Sequence, residues 1–189
     1  MIYLRIIAGE AKGFRLSAPK GWAVRPTGDR VKESMFGILG DEVIDAKVLD
    51  LFAGTGNLGL ECLSRGALKV IFVDKSIQCI KIVSENAQRA KLATATVIFR
   101  EDSFVAIKKL ASNAEVFDLI FCDPPYNQGY VEKLMNSISL ANILRMGGTL
   151  IVEHSKHEIP DCHGGNFIIT RTEQYGETWV SFLTKQEVF

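Results

Sequence analysis

At 189 residues the chain is long enough for one substantial hydrophobic core and too short for two comfortable domains. Its 47% apolar and 23% charged content is ordinary for a soluble globular protein. No apolar run reaches membrane-spanning length, and the N-terminus lacks a basic segment followed by an uninterrupted apolar one, so no membrane partner and a cytoplasmic location are expected. The four cysteines (Cys62, Cys79, Cys122, Cys162) fall in or beside apolar segments with no C-x-x-C pair, and read as reduced thiols. His154, His157, Cys162 and His163 fit no standard zinc spacing, so no metal is expected. The formal net charge of zero is unevenly spread: residues 1–32 carry +5 and the remainder −5. That asymmetry suggests a basic arm on a neutral-to-acidic body, although a solvated charged hairpin would look the same.

Residues 2–8 and 14–18 read as two short strands around a turn with Gly9 and Gly13 at its ends. An irregular link through Trp22 leads to Arg25-Pro26-Thr27-Gly28-Asp29-Arg30. Val31, Met35, Ile38 and Leu39 then recur at helical spacing, closed by Gly40, with Thr27 or Asp29 as the cap. From Lys47 the pattern alternates strand and helix. Strands are predicted at 48–52, 69–74, 96–100, 117–122 and 149–153, the last entered through a turn at Gly147-Gly148. Helices are predicted after a glycine-rich turn at 53–59 and ending near Arg65-Gly66, over about 76–90, through Ile107 and Leu110, and over about 130–139. Segments 167–174 and 178–184 close the chain as an antiparallel hairpin. Alternating βα units imply a parallel sheet with helices on both faces, an α/β architecture.

Two constellations carry chemistry. Phe117 to Cys122 is apolar apart from Asp118, as for a strand buried on both faces, and stops at Asp123-Pro124-Pro125-Tyr126. The prolines lack N–H donors and fix φ, so the ladder ends in a stiff loop at a strand's carboxyl end, where open α/β sheets bind ligands. A carboxylate, prolyl carbonyls and an aromatic face are the parts needed to hold a planar base by its exocyclic amine. The bland reading is a strand terminated by prolines.

Gly54, Gly56 and Gly59 form G-x-G-x-x-G after a strand, a weak signal shared with dinucleotide enzymes. Asp50, inside the strand before the turn, suits a ligand ammonium and gives a pyrophosphate nothing. Asp102 suits an adenine amine, and Asp74 suits ribose hydroxyls under either reading. Each acid alone reads as strand-end solvation or a helix cap. Three at successive strand ends point to one crevice.

In this order the motifs resemble class I S-adenosylmethionine-dependent methyltransferases acting on exocyclic amines. The stretches Arg25 through Glu33, Leu49 through Gly56, Leu63 through Ala67 and Val152-Glu153-His154 are similar to the bacterial 16S ribosomal-RNA guanine-N2 methyltransferase family, which modifies guanine 966. The resemblance spans nearly the whole chain. Family members commonly have Ser or Thr at Gly28, Ser at Thr55, a small residue at Asn57 and Glu at Asp74.

The resemblance implies a Rossmann-like, doubly wound seven-stranded methyltransferase sheet with the C-terminal hairpin and a small N-terminal β-hairpin extension. The domains would be residues 1–24 for the extension and 25–189 for the catalytic body. It implies S-adenosyl-L-methionine held by Asp50, Phe52, Ala53, Gly54, Thr55, Gly56, Asp74, Asp102 and Ser103, with chemistry at Asp123, Pro124, Pro125 and Tyr126. RNA contacts would come from Arg5, Lys12, Arg15, Arg25, Thr27 and Arg30. The partner would be 16S rRNA or the small ribosomal subunit, and the chain a monomer. Rivals are an adenine-N6 DNA or glutamine-N5 protein methyltransferase, an NAD-dependent oxidoreductase, and a non-enzymatic RNA-binding protein.

Overall fold

The computed structural model describes residues 4–19, 28–162 and 166–187. In chain order the elements are α1 (Gly28–Leu39), β1 (Lys47–Asp50), α2 (Asn57–Ser64), β2 (Lys69–Asp74), α3 (Ile77–Arg89), β3 (Thr96–Arg100), α4 (Ser103–Ser112), β4 (Phe117–Cys122), α5 (Tyr130–Ala141), β5 (Leu144–His154), β6 (Phe167–Tyr175) and β7 (Thr178–Lys185). They build one seven-stranded sheet in the order β3-β2-β1-β4-β5-β7-β6. The first five strands in that order are parallel, and β7 runs antiparallel between β5 and β6. The expected α/β architecture and closing hairpin are both present.

Side chains alternate across a strand, so adjacent positions feed opposite cores. Val48, Val70, Phe72, Leu119, Phe121 and Ile151 face α1, α2 and α3; Leu49, Ile71, Val73, Ile120, Leu150 and Val152 face α4 and α5. Being buried on both faces is why these strands read as continuous apolar runs. The chain winds outward from β1 to β3 and then returns to β4 on the other side of β1. That reversal opens a crevice beyond the carboxyl ends of β1 and β4.

Two expectations are corrected. β5 begins at Leu144, and Gly147-Gly148 lie inside it rather than in a turn before it. The pairing moves from Phe117↔Leu144 to Leu119↔Thr149, so β5 bulges, and Gly147 adopts φ +69° there. A Cβ at Gly148 would lie 2.9 Å from the Asp118 carbonyl oxygen, which explains the second glycine.

The N-terminal segment does not form two regular strands over its described residues. It makes a single antiparallel bridge, Arg5 to Arg15, with flanking bonds such as Ile6 N to Phe14 O (2.9 Å) and Leu16 N to Leu4 O (2.9 Å). Its other backbone groups bond to helices. Ile7 and Ala8 donate to the Glu61 carboxylate on α2 at 2.8 and 3.1 Å, Ala11 N donates to Ser64 Oγ, and Ser17 N donates to Asn86 Oδ1 on α3. Gly9 is held against α2 so closely that a Cβ would fall 1.7 Å from the Ser64 carbonyl oxygen. Ile6 and Leu16 are buried in the same core as α1 and α2. The proposed boundary between residues 24 and 25 lies outside the described residues.

Candidate active site

The crevice has a volume of about 680 Å³. It gathers the ends of β1 to β4 and reaches β5 and β7, with Asp50, Asp74, Asp102, Asp123, Tyr126, Glu153 and Thr178 in its wall. Phe52, Ala53, Gly54, Thr55 and Ser103 line it too. Gly56 lies behind them as the left-handed residue (φ +80°) that starts α2, and Gly54 is also left-handed (φ +53°). A side chain at either position would be strained. The third glycine serves packing, since a Cβ at Gly59 would meet the Phe72 ring at 2.2 Å.

The acids have dual employment. Asp74 accepts from the Gly54 and Ser76 backbone N–H groups, at 2.9 and 2.8 Å, and so ties the glycine turn to β2. Asp102 caps α4, accepting from Phe104 N at 2.9 Å and Val105 N at 3.4 Å. Ser103 donates its hydroxyl to the Leu51 carbonyl at 2.7 Å, bracing the loop from below. Structural roles therefore coexist with exposure to the crevice.

Asp50 is different. It is almost fully buried and accepts from Gly59 N at 3.2 Å. Burial pushes its carboxyl pKa up to about 7; the Gly59 and Phe52 amides oppose the shift, while the Asp74 charge adds to it. A carboxylate so held is stabilised in its ionised form by a cation entering the crevice.

At the far wall, Asp123 and Pro125 are exposed and Pro124 is buried. The Tyr126 hydroxyl donates to Glu153 Oε1 on β5 and lies 3.2 Å from Thr178 Oγ1 on β7. Burial, then the Glu153 and Asp123 charges, push the Tyr126 pKa upward. The residues directly after Tyr126 are pinned as well. Glu158 accepts from the Asn127 and Gly129 amides, the latter at 2.7 Å, and Ser155 Oγ donates to Asn127 Oδ1 at 2.7 Å. The two prolines thus sit between the end of β4 and a pinned stretch.

Three contributors carry no clear sequence signal. Lys32, 1% exposed, lines the crevice and donates to the Arg5 carbonyl (2.6 Å) and Asn57 Oδ1 (2.7 Å), with Glu61 Oε2 at 3.2 Å. Glu61, wholly buried, also receives Arg65 Nε at 2.8 Å. Asn86 donates to both the Ser17 and Thr55 carbonyls, at 3.1 and 3.0 Å. The N-terminal arm and the glycine turn are therefore joined through α1, α2 and α3.

Of the expected RNA-facing residues, Arg5, Lys12, Arg15 and Arg30 are exposed, and Arg5 pairs with Asp29 at 2.9 Å. Arg25 and Thr27 lie outside the described residues. His154 is buried with Nδ1 against the Ser155 carbonyl and Nε2 against Ser181 Oγ, both at 2.8 Å. Its ring is committed to those two bonds, and His163 lies outside the described residues. Among the described residues no helix is long and apolar enough to cross a membrane.

The family described as "Conserved hypothetical protein 95" matches residues 4–184. A Bacillus subtilis (strain 168) protein named "Putative rRNA methyltransferase YlbH" is 37% identical over 184 residues, covering 97% of this chain and 100% of its own length. The "Ribosomal RNA small subunit methyltransferase D" of Haemophilus influenzae is 34% identical, covering 81% of this chain and 79% of its own. Among solved structures, one described as "Putative methyltransferase yhhF from Escherichia coli" superposes with a TM-score of 0.85 at 27% identity, covering 98% of this chain and 99% of that one. The crevice at the switch point, the glycine turn and these matches agree: the chain belongs to the conserved hypothetical protein 95 family, a family of methyltransferases.

Proposed function

We propose that the protein transfers a methyl group from S-adenosylmethionine to the exocyclic N2 amine of a guanine in 16S rRNA, guanine 966 in the family it resembles. The observation that carries this reading is one crevice shared by two sets of residues: Asp50, Gly54, Asp74 and Asp102 on one side, and Asp123 to Tyr126 on the other. The relatives named as rRNA methyltransferases support the choice of RNA.

The residues present fit the cofactor. Asp50 and the Gly54–Gly56 turn would hold its aminoacyl end, Asp74 its ribose and Asp102 its adenine amine. When bound, it supplies an electrophilic methyl on a sulfonium whose leaving group is a neutral thioether. Phe52, Ala53, Thr55 and Ser103 complete the wall around it.

The chain's own work is on the amine. The guanine N2 lone pair is delocalised into the ring and is a poor nucleophile. Hydrogen bonds from the amine to the Asp123 carboxylate and the Pro124 carbonyl draw it toward tetrahedral geometry and localise that pair. Tyr126 stacks on the base, with its hydroxyl anchored to Glu153 fixing the ring. The stiff, doubly pinned loop keeps these groups in place, so positioning supplies much of the acceleration. The proton released from N2 passes to Asp123 or to water. The target base must leave its stack to enter, and Arg5, Lys12, Arg15 and Arg30, with Arg25 and Thr27, would grip the backbone around it.

Calorimetry tests the cofactor assignment. S-adenosylhomocysteine should bind and NAD should not. Because the ammonium needs an ionised Asp50, affinity should fall as pH drops below about 7, by up to tenfold per unit, and level off above it. Asp50→Asn should weaken binding and flatten that profile. In the free protein the sign reverses. A carboxyl pKa raised from 3.8 to about 7 makes the folded state the better proton binder, so Asp50 lowers stability as pH rises through that interval. Asp50→Asn should therefore raise the melting temperature of the free protein at pH 8. Tight NAD binding without a response to S-adenosylhomocysteine would refute the assignment.

A further inference from the structure

The crevice holds a second carboxylate on the target side that the chemistry above uses only as an anchor for Tyr126. Glu153 projects from β5 into the same wall as Asp123. Its Oε1 accepts from the Tyr126 hydroxyl, and Thr178, at the start of β7, braces the same hydroxyl. A carboxylate has two oxygens and accepts up to about four hydrogen bonds, so the Tyr126 bond does not exhaust it. Two carboxylates thus flank one aromatic platform. An edge that presents two adjacent donors suits such a pair, and an edge that presents a donor beside a lone pair does not.

Guanine presents N2–H and N1–H side by side. Adenine presents N6–H beside the bare N1 lone pair, which a carboxylate repels. We infer that Glu153 is the base-selecting residue of this site, accepting the N1–H of the target guanine while Asp123 holds the N2 amine. This rests on the guanine-N2 reading above and adds to it the group that rejects an unprotonated N1. A site built to bond an N–H discriminates strongly against an analogue lacking it, because the half-buried Glu153, closed over by the base, is then left facing another acceptor. The chain achieves this with an element that came from the antiparallel end of the sheet: β7 inserted beside β5 puts Thr178 where it holds Tyr126 against Glu153.

The discriminating probe is 2-aminopurine, which keeps the N2 amine of guanine but has a lone pair in place of N1–H. 16S rRNA assembled by ligation would carry guanine or 2-aminopurine at the target position. It would be offered both naked and reassembled into small-subunit particles, with methyl transfer measured as kcat/KM. The wild-type protein should prefer guanine by about 10²-fold or more. Glu153→Gln keeps an oxygen for the Tyr126 hydroxyl and offers an amide N–H to the bare N1. It should therefore narrow that preference by at least about tenfold, through slower guanine and faster 2-aminopurine methylation, with S-adenosylhomocysteine affinity unchanged.

Equal rates on the two bases in the wild-type protein overturn the inference without any variant. A preference that survives Glu153→Gln intact also overturns it and leaves Glu153 as an anchor for Tyr126. Absence of methyl transfer to guanine in either substrate form is a different failure, that of the guanine-N2 reading itself.

Discussion

Asp123→Ala is expected to lower methyl transfer by ~10²–10⁴-fold while leaving S-adenosylhomocysteine affinity within about twofold. Asp123 is exposed at the carboxyl end of β4 and lines the crevice, and under the proposed reading it bonds the incoming amine rather than the cofactor. The residues assigned to the cofactor sit on β1, β2, the loops after β1 and β3 and the first residue of α4, and truncating Asp123 removes none of them. Single-turnover methyl transfer and calorimetry on the same preparation read the two effects separately. Full activity in this variant would reduce Asp123-Pro124-Pro125-Tyr126 to a strand terminator. Tyr126→Phe should fall between wild type and Asp123→Ala. It keeps the stacking face but strips Glu153 of its hydroxyl partner, a loss of ~1–3 kcal/mol. Stacking alone, the role expected from sequence, would have left that variant nearly active; the Glu153 bond is the reason for the lower expectation.

The second large effect is on stability. Glu61→Ala should destabilise the protein by ~3–5 kcal/mol. The carboxylate is wholly buried and accepts from Ile7 N, Ala8 N, Arg65 Nε and Lys32 Nζ. Removing it leaves the Lys32 ammonium, itself 1% exposed, without its counter-charge. Burial already lowers the Lys32 pKa, with Glu61 the main opposing influence, so the ion depends on this partner. A chain of this size should lose roughly 2–4 °C of melting temperature per kcal/mol. Deleting the N-terminal segment should have the same consequence, because it removes two of the four Glu61 donors and the Arg5 carbonyl that receives Lys32. RNA binding by the arm is therefore better tested at its exposed charges. Replacing Lys12 and Arg15 by Ala should leave the fold intact and flatten the salt dependence of RNA affinity, by about 0.7 in log–log slope for each phosphate the arm no longer neutralises. An unchanged slope would place the RNA surface elsewhere.

The sheet was legible because its central strands β1, β2 and β4 are buried on both faces and end at acids, glycine or proline. Leu49, Ile71 and Ile120 had nowhere to be but a core, and the carboxyl ends of β2 and β4 could be read from Asp74 and Asp123, whereas the strand read over 48–52 ends at Asp50. The constellation at 123–126 was legible for the opposite reason, since two prolines and a carboxylate after an apolar run are locally expensive.

What could not be read was long-range. Lys32 is far in sequence from its partners Asn57 and Glu61 on α2, and a lone Lys on a helix reads as a solvated charge. Its burial depends on an arm whose backbone amides are satisfied by that same Glu61. Glu153 was visible only as part of the stretch Val152-Glu153-His154. Its role depends on β7 passing antiparallel beside β5, which brings Thr178 into the crevice. The arm was read as a hairpin because two apolar stretches flank a glycine turn. The antiparallel pairing is present but short, and the docking of the arm was illegible because Glu61, Ser64 and Asn86, which take its other amides, are ordinary surface residue types.

The most direct test of the account is to identify the methylated nucleoside. The purified protein, labelled S-adenosylmethionine and unmodified small-subunit particles or naked 16S rRNA would be combined, and the RNA digested for mass spectrometry and position mapping. The account predicts N2-methylguanosine at one position of 16S rRNA, with the label abolished by Asp123→Ala. Label appearing as N6-methyladenosine, or in DNA or protein while both rRNA substrates stay unlabelled, would contradict it.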